Sequence, residues 1–179
     1  MVRSCVLKER KMRTGPVQRL VKINFELDPR DWHGSGSESL WASFVADEGG
    51  CKIFRLENSP FHAIGVSYGD IVAAKPTDNP ILYEFKSVRT RSGHSTYMIL
   101  VKAGHRVDSP EFRSHWDLLA QKGCSYESTH MTYPTGSRLL LSVDVPPSAN
   151  LFSTYDVLQK GQQTSLWLFQ EGYAHLPNR

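Results

Sequence analysis

The hydrophobic period of the chain changes across Arg89-Thr90-Arg91-Ser92-Gly93-His94-Ser95-Thr96, and this change constrains the fold more than any other feature. Upstream, apolar and polar residues alternate in short runs broken by turn formers. Residues 21–27 read as a half-buried strand that stops at Asp28-Pro29 and a Gly/Ser-rich loop, residues 33–37. Residues 40–45 and 51–56 form a pair across Asp47-Glu48-Gly49-Gly50, a hairpin turn by composition. Gly69-Asp70 makes a tight corner in a run from 66 to 74, and residues 81–88 supply the last strand. Short strands with no helical pattern predict a small twisted β-barrel over residues 20–92.

Downstream, strands alternate with helices. Residues 96–102 are a strand, and Ser109-Pro110-Glu111 starts a helix with a hydroxyl cap, a proline at the first helical position and an acid in the first turn. Phe112, Trp116 and Leu119 line one face, and Gly123 ends the helix. Residues 124–129 and 138–145 are strands. Pro146-Pro147-Ser148 opens a second helix bearing Leu151, Tyr155 and Leu158, with Gly161 as its stop, and residues 164–169 close the set. The order βαββαβ predicts a ferredoxin-like module over residues 93–179, so the fold class is α+β.

Charge separates a third segment. Residues 1–19 hold six basic groups (Arg3, Lys8, Arg10, Lys11, Arg13 and Arg19) against Glu9, which marks them as a basic and disordered tail. The other residues keep 15 of the 21 basic and 17 of the 18 acidic groups, a net charge of about −2. Such a body is a poor phosphate-backbone binder. RNA recognition of the kind that stacks bases on central strands fails too, because residues 139–145 contain no aromatic and Tyr97 is isolated. The tail lacks a secretory apolar core, no run reaches membrane-span length, and Met12 is an alternative start. Cys5, Cys51 and Cys124 form no disulfide framework or metal pair, so the expected compartment is the cytoplasm. The seven histidines show no metal-binding spacing, and no phosphate-cradling loop is present. Neither a metal nor a cofactor is expected.

Several blocks in order resemble a known family: Glu38-Ser39-Leu40-Trp41-Ala42, Phe54-Arg55-Leu56-Glu57-Asn58-Ser59-Pro60-Phe61, Gly65-Val66-Ser67-Tyr68-Gly69-Asp70 and Ser92-Gly93-His94-Ser95-Thr96. Gly123-Cys124, Val143-Asp144-Val145-Pro146 and Glu171-Gly172 extend the likeness, which spans roughly residues 20 to 175. The family is that catalogued as domain of unknown function 4265. The resemblance implies a bacterial, soluble, single-chain protein and assigns no catalytic residue. The basic extension before Arg13 departs from the compact family pattern.

The candidate chemistry gathers where the period changes. His94 carries an imidazole suited to act as an acid or base, with Glu38 or Asp70 as the carboxylate that would orient it. Ser92, Ser95 and Thr96 supply hydroxyls, although strand geometry points Ser95 away from His94 and Thr96. Arg89 and Arg91 share a face suited to clamping a carboxylate or phosphate. Asn58, Phe61 and Trp41 would form a polar wall and an apolar floor. Each feature has a structural reading beside it. The hydroxyls, glycine and imidazole equally suit a joint between modules, Asn58 before Pro60 suits a turn, and Gly69-Asp70 suits a barrel corner. Trp167 and Phe169 read as a patch that packs on the barrel or on a partner protein. The expected function is a binding protein that recognises a partner protein, in an inhibitor or immunity-type role, or a small polar ligand at the seam. The alternative is a small hydrolase or transferase that uses His94 with Glu38 or Asp70.

Overall fold

The computed structural model describes residues 19–176. The basic tail, apart from Arg19, lies outside the described residues. The first five strands are β1 (Val21–Glu26), β2 (Ser37–Glu48), β3 (Cys51–Leu56), β4 (Ile71–Pro76) and β5 (Leu82–Thr90). Each pairs antiparallel with the next, and β1 also pairs parallel with β5, so the sheet closes on itself. The alternation in β1 turns Val21, Ile23 and Phe25 inward against Leu40, Phe54, Leu56 and Val72. The β2–β3 hairpin turns at Gly49 and Gly50, both at positive φ.

The second half runs β6 (Ser95–Val101), α1 (Pro110–Ala120), β7 (Ser125–Tyr133), β8 (Gly136–Val145), α2 (Leu151–Gln163) and β9 (Trp167–Tyr173). Its strands lie in the order β7-β8-β6-β9, with every neighbouring pair antiparallel. With strands dominating and only these two helices among the described residues, the fold is α+β. Neither helix is long and apolar enough to cross a membrane.

The two faces of this sheet have different fates. Tyr97, Ile99 and Val101 point one way and pack with Phe112, Leu119, Val143, Leu158 and Trp167 beneath the helices. Trp167 is fully buried there, and its indole N–H donates to Leu158 O at 2.9 Å. It therefore belongs to the helix-side core and is not a patch against the first sheet, as the sequence reading had it. Thr96, Met98 and Ser142 point the other way and are also buried. Residues 57–70, the irregular connection between β3 and β4, lie over them: Ser142 Oγ donates to Pro60 O, Thr96 Oγ1 to Ser67 Oγ at 2.9 Å, and Gly65 N to Gly172 O at 2.9 Å.

Several boundaries differ from expectation. α1 starts as predicted, with Ser109 accepting from Phe112 N. α2 starts later, because Pro146 to Ala149 form a turn closed by Ala149 N on Pro146 O, and Asn150 is the cap that accepts from Ser153 N. Gly161 is inside α2 and does not stop it: a Cβ there would lie 2.1 Å from the Trp167 ring. The glycine serves packing.

Candidate functional site

The Arg89–Thr96 stretch leaves the first sheet along β5 and enters the second as β6, so it is the seam between them. Asp70 organises it. Its carboxylate is fully buried; Oδ1 accepts from Ser92 N at 2.8 Å, while Oδ2 accepts from Ser67 N at 3.1 Å and from Arg91 Nη1 at 2.9 Å. The same Arg91 nitrogen donates to Gly65 O, and the guanidinium lies 4.0 Å over the Tyr173 ring. Arg91 therefore ties the β3–β4 connection to β9. Gly69 turns at positive φ, and a Cβ on it would meet Ser92 at 3.2 Å.

Glu38 does similar work at the other end of the connection. Its Oε1 accepts from Phe61 N at 2.7 Å, and its Oε2 accepts from His62 N and Ala63 N at 2.9 and 2.8 Å. Asn58 Oδ1 accepts from Trp41 N at 2.7 Å. These carboxylates and this amide hold backbone N–H groups that a chain crossing between elements would otherwise leave unpaired.

His94 does meet a carboxylate, but neither of those proposed. Its Nδ1 is 2.7 Å from Oδ1 of Asp144 on β8. Its ring stands edge-on to Tyr68 with centroids 5.3 Å apart, and it keeps about a fifth of its side-chain surface exposed. Glu38 and Asp70 are spent on backbone and Arg91, so pairing either with His94 as acid and base is corrected to a His94–Asp144 pair. Burial pushes the Asp144 carboxyl above its ordinary range, opposed by the His94 bond.

The other expected residues divide the same way. Ser92 Oγ donates to Tyr68 O at 2.7 Å and accepts from His94 N; Ser95 Oγ accepts from His175 N at 2.8 Å; Thr96 is buried on Ser67. Arg89 is exposed beside Glu48 at 3.8 Å and does not join Arg91 in a clamp. Phe61 is half-buried, and Trp41 is exposed under the Lys22 ammonium. Among the described residues no cluster of three or more metal-ligating side chains occurs.

Beside the seam, on the far side of Tyr68 and Asp144 from His94, lies a polar cleft of about 300 Å³. Glu57, Ser59 and Tyr68 line it from the β3–β4 connection, and Ser125, Tyr126, Glu127, Ser142 and Asp144 from β7 and β8. Three carboxylates thus converge on one concavity. Glu57 also accepts from Ser43 Oγ at 2.6 Å and from Arg55 Nη2 at 2.9 Å; Glu127 Oε1 accepts from Ser59 N at 3.3 Å. Asp144, Glu127 and Tyr68 were missed as site residues. The alternation of residues 138–145 does place Asp144 on the same sheet face as Ser142, but only the paired register brings it to Thr96 and so beside His94.

A family model described as "Domain of unknown function (DUF4265)" matches residues 38–169. The chain belongs to that family. The match takes in the whole β3–β4 connection, the seam and both strands that line the cleft. None of the curated proteins matches the chain. Among solved structures it is similar to one described as "Novel crystal structure of a hypothetical protein from Neisseria gonorrhoeae", at 15% identity and a TM-score of 0.61, covering 89% of this chain and 97% of that one. That likeness concerns the fold alone.

Proposed function

We propose that this member of the DUF4265 family is a binding protein whose site is the seam cleft and whose ligand is a small organic cation carrying amine or guanidinium nitrogens. The lining carries the reading: Glu57, Glu127 and Asp144 supply acceptors, Ser59, Ser125 and Ser142 supply hydroxyls, and Tyr68 supplies an aromatic wall, while the Tyr126 ring turns to Trp116 on the helix side. Arg55 pairs with Glu57 and His94 with Asp144, but among the described residues the lining itself holds three carboxylates and no basic side chain, which favours a cation over an anion. The concave shape favours a small molecule over a partner protein. The frame is read as a small barrel packed on a ferredoxin-like module; the strand order β7-β8-β6-β9 and the closure of β1 on β5 support it. A cytoplasmic setting fits the sparse thiols, of which Cys124 is pushed up to about 11 by burial and is unreactive.

Thermal denaturation with agmatine, putrescine and succinate tests the reading. Agmatine or putrescine should raise the melting temperature and succinate should not; Asp144→Asn should weaken amine binding about tenfold, the loss of one charge-assisted hydrogen bond. Stabilisation by succinate, or by none of the three, contradicts it.

A second reading is acid–base chemistry at His94. Asp144 holds Nδ1, which leaves Nε2 to take a proton. Among the described residues that ring bonds Asp144 and no hydroxyl, and Ser92 Oγ donates to Tyr68 O, so binding is preferred. Under the second reading His94→Ala would abolish turnover of a bound amine and leave its binding intact.

A further inference from the structure

The closed first sheet has no free edge, and the second sheet has two, β7 and β9. The β9 edge is guarded. Gln162 Oε1 accepts from Phe169 N at 3.2 Å, the barrel-side Gly65 N donates to Gly172 O, and a register shift at Thr96/Tyr97 disturbs the pairing. The β7 edge is not. Its nine residues pair with β8 in unbroken register from Ser125↔Asp144 to Tyr133↔Gly136; their one carboxylate, Glu127, turns to the cleft and Ser59 N, and they contain no lysine, proline or bulge. These are the devices by which edges are usually blunted.

The two-residue turn at Pro134-Thr135 makes Tyr133 and Gly136 a hydrogen-bonded pair. The odd-numbered residues of β7 therefore direct their backbone groups to β8, and Tyr126, Ser128, His130 and Thr132 direct theirs outward. Among the described residues, none of these four gives its backbone N–H or carbonyl to another element.

We propose that β7 is a strand-addition edge that pairs antiparallel with β7 of a second copy of this chain, about a two-fold axis at Thr129. A two-fold axis normal to the sheet requires opposed residues of like parity, because neighbours along a strand face opposite sides. The axis at Thr129 sets Ser128 opposite the second copy's His130 and Tyr126 opposite its Thr132 as hydrogen-bonded pairs. It sets Thr129 opposite Thr129, a β-branched pair suited to close approach.

Charge selects this register and this occupant. Glu127 falls opposite Met131 of the other copy, and Met131 pairs across its own sheet with Arg138. The row Glu127–Met131–Arg138 thus sets a carboxylate of one copy on the same face as a guanidinium of the other, two strand spacings or about 10 Å apart between backbones. Glu127 keeps its bond from Ser59 N and Arg138 its bond to Val101 O, and symmetry repeats the row. Moving the axis to Ser128 or His130 replaces Arg138 in that row by Leu140 or Gly136. The interface needs no occupant in the cleft.

Thr129→Cys tests the geometry. Opposed residues at a non-hydrogen-bonded position bring their Cβ atoms to about 4.5 Å, within disulfide reach. The variant should cross-link between chains on mild oxidation in nearly full yield, and Ser125→Cys, displaced from the axis, should not. Ser128→Pro removes an outward N–H without touching β8, so by sedimentation it should turn the dimer into a monomer while melting as the wild type does. If that variant unfolds, the cross-linking of Thr129→Cys decides alone. A wild type that sediments as a monomer at all concentrations, or a dimer that Ser128→Pro leaves intact and Thr129→Cys fails to cross-link, overturns the proposal.

Discussion

Glu38, Asp70 and Asp144 carry the same functional group into three environments, and their partners decide their roles. Glu38 accepts three backbone N–H groups and anchors the start of the β3–β4 connection. Glu38→Ala should cost about 2–4 kcal/mol of stability, the range for losing charge-assisted bonds to partly buried donors, seen as a lower urea midpoint. Beside it, the His62 ring packs on His33 with centroids 4.7 Å apart, and its Nδ1 is buried with no hydrogen-bond partner among the described residues. Burial pushes the His62 imidazole below its ordinary 6.5, with Glu38 opposing and His33 adding to the effect. The unfolded chain then binds more protons than the folded one just below pH 6.5. Stability is full above that pH and falls as pH drops through the window toward the depressed folded value. Urea midpoints of the wild type should decline there, and those of His62→Phe should stay flatter.

Among the elements, the helices show why some boundaries are legible in sequence and others are not. Ser109-Pro110-Glu111 marks α1 because cap, fixed φ and acid all act within one turn. Pro146-Pro147-Ser148 carries the same local signals, yet they make a turn, and Asn150 is the cap. Gly161 looks like a stop, but its reason is Trp167 across the core, a contact no local pattern reveals. Gly161→Ala should destabilise by about 3 kcal/mol, the upper end of overpacking, because a rigid indole fills the space; a melting curve measures it.

For the molecule as a whole, the seam was legible as a place and illegible as chemistry. The change of period located it, and Gly69, Gly93 and the hydroxyls are the joint they resembled. The partner of His94 stands fifty positions away and meets it through the β6–β8 register, so the pair is written in topology. Asp70→Asn should loosen the joint by about 2–3 kcal/mol, below the cost of breaking a fully buried pair because Arg91 is a third exposed; Arg89→Ala should stay within about 0.5 kcal/mol.

Calorimetric titration of agmatine against pH tests the cleft most directly. Burial raises the Asp144 carboxyl above its ordinary 3.8, so wild-type affinity should be full near neutrality and begin to fall, on acidification, at a pH above that value. Asp144→Asn should bind more weakly at neutral pH and lose that part of the pH dependence. Affinity that Asp144→Asn leaves unchanged, or that rises on acidification, would contradict a cation site at the seam.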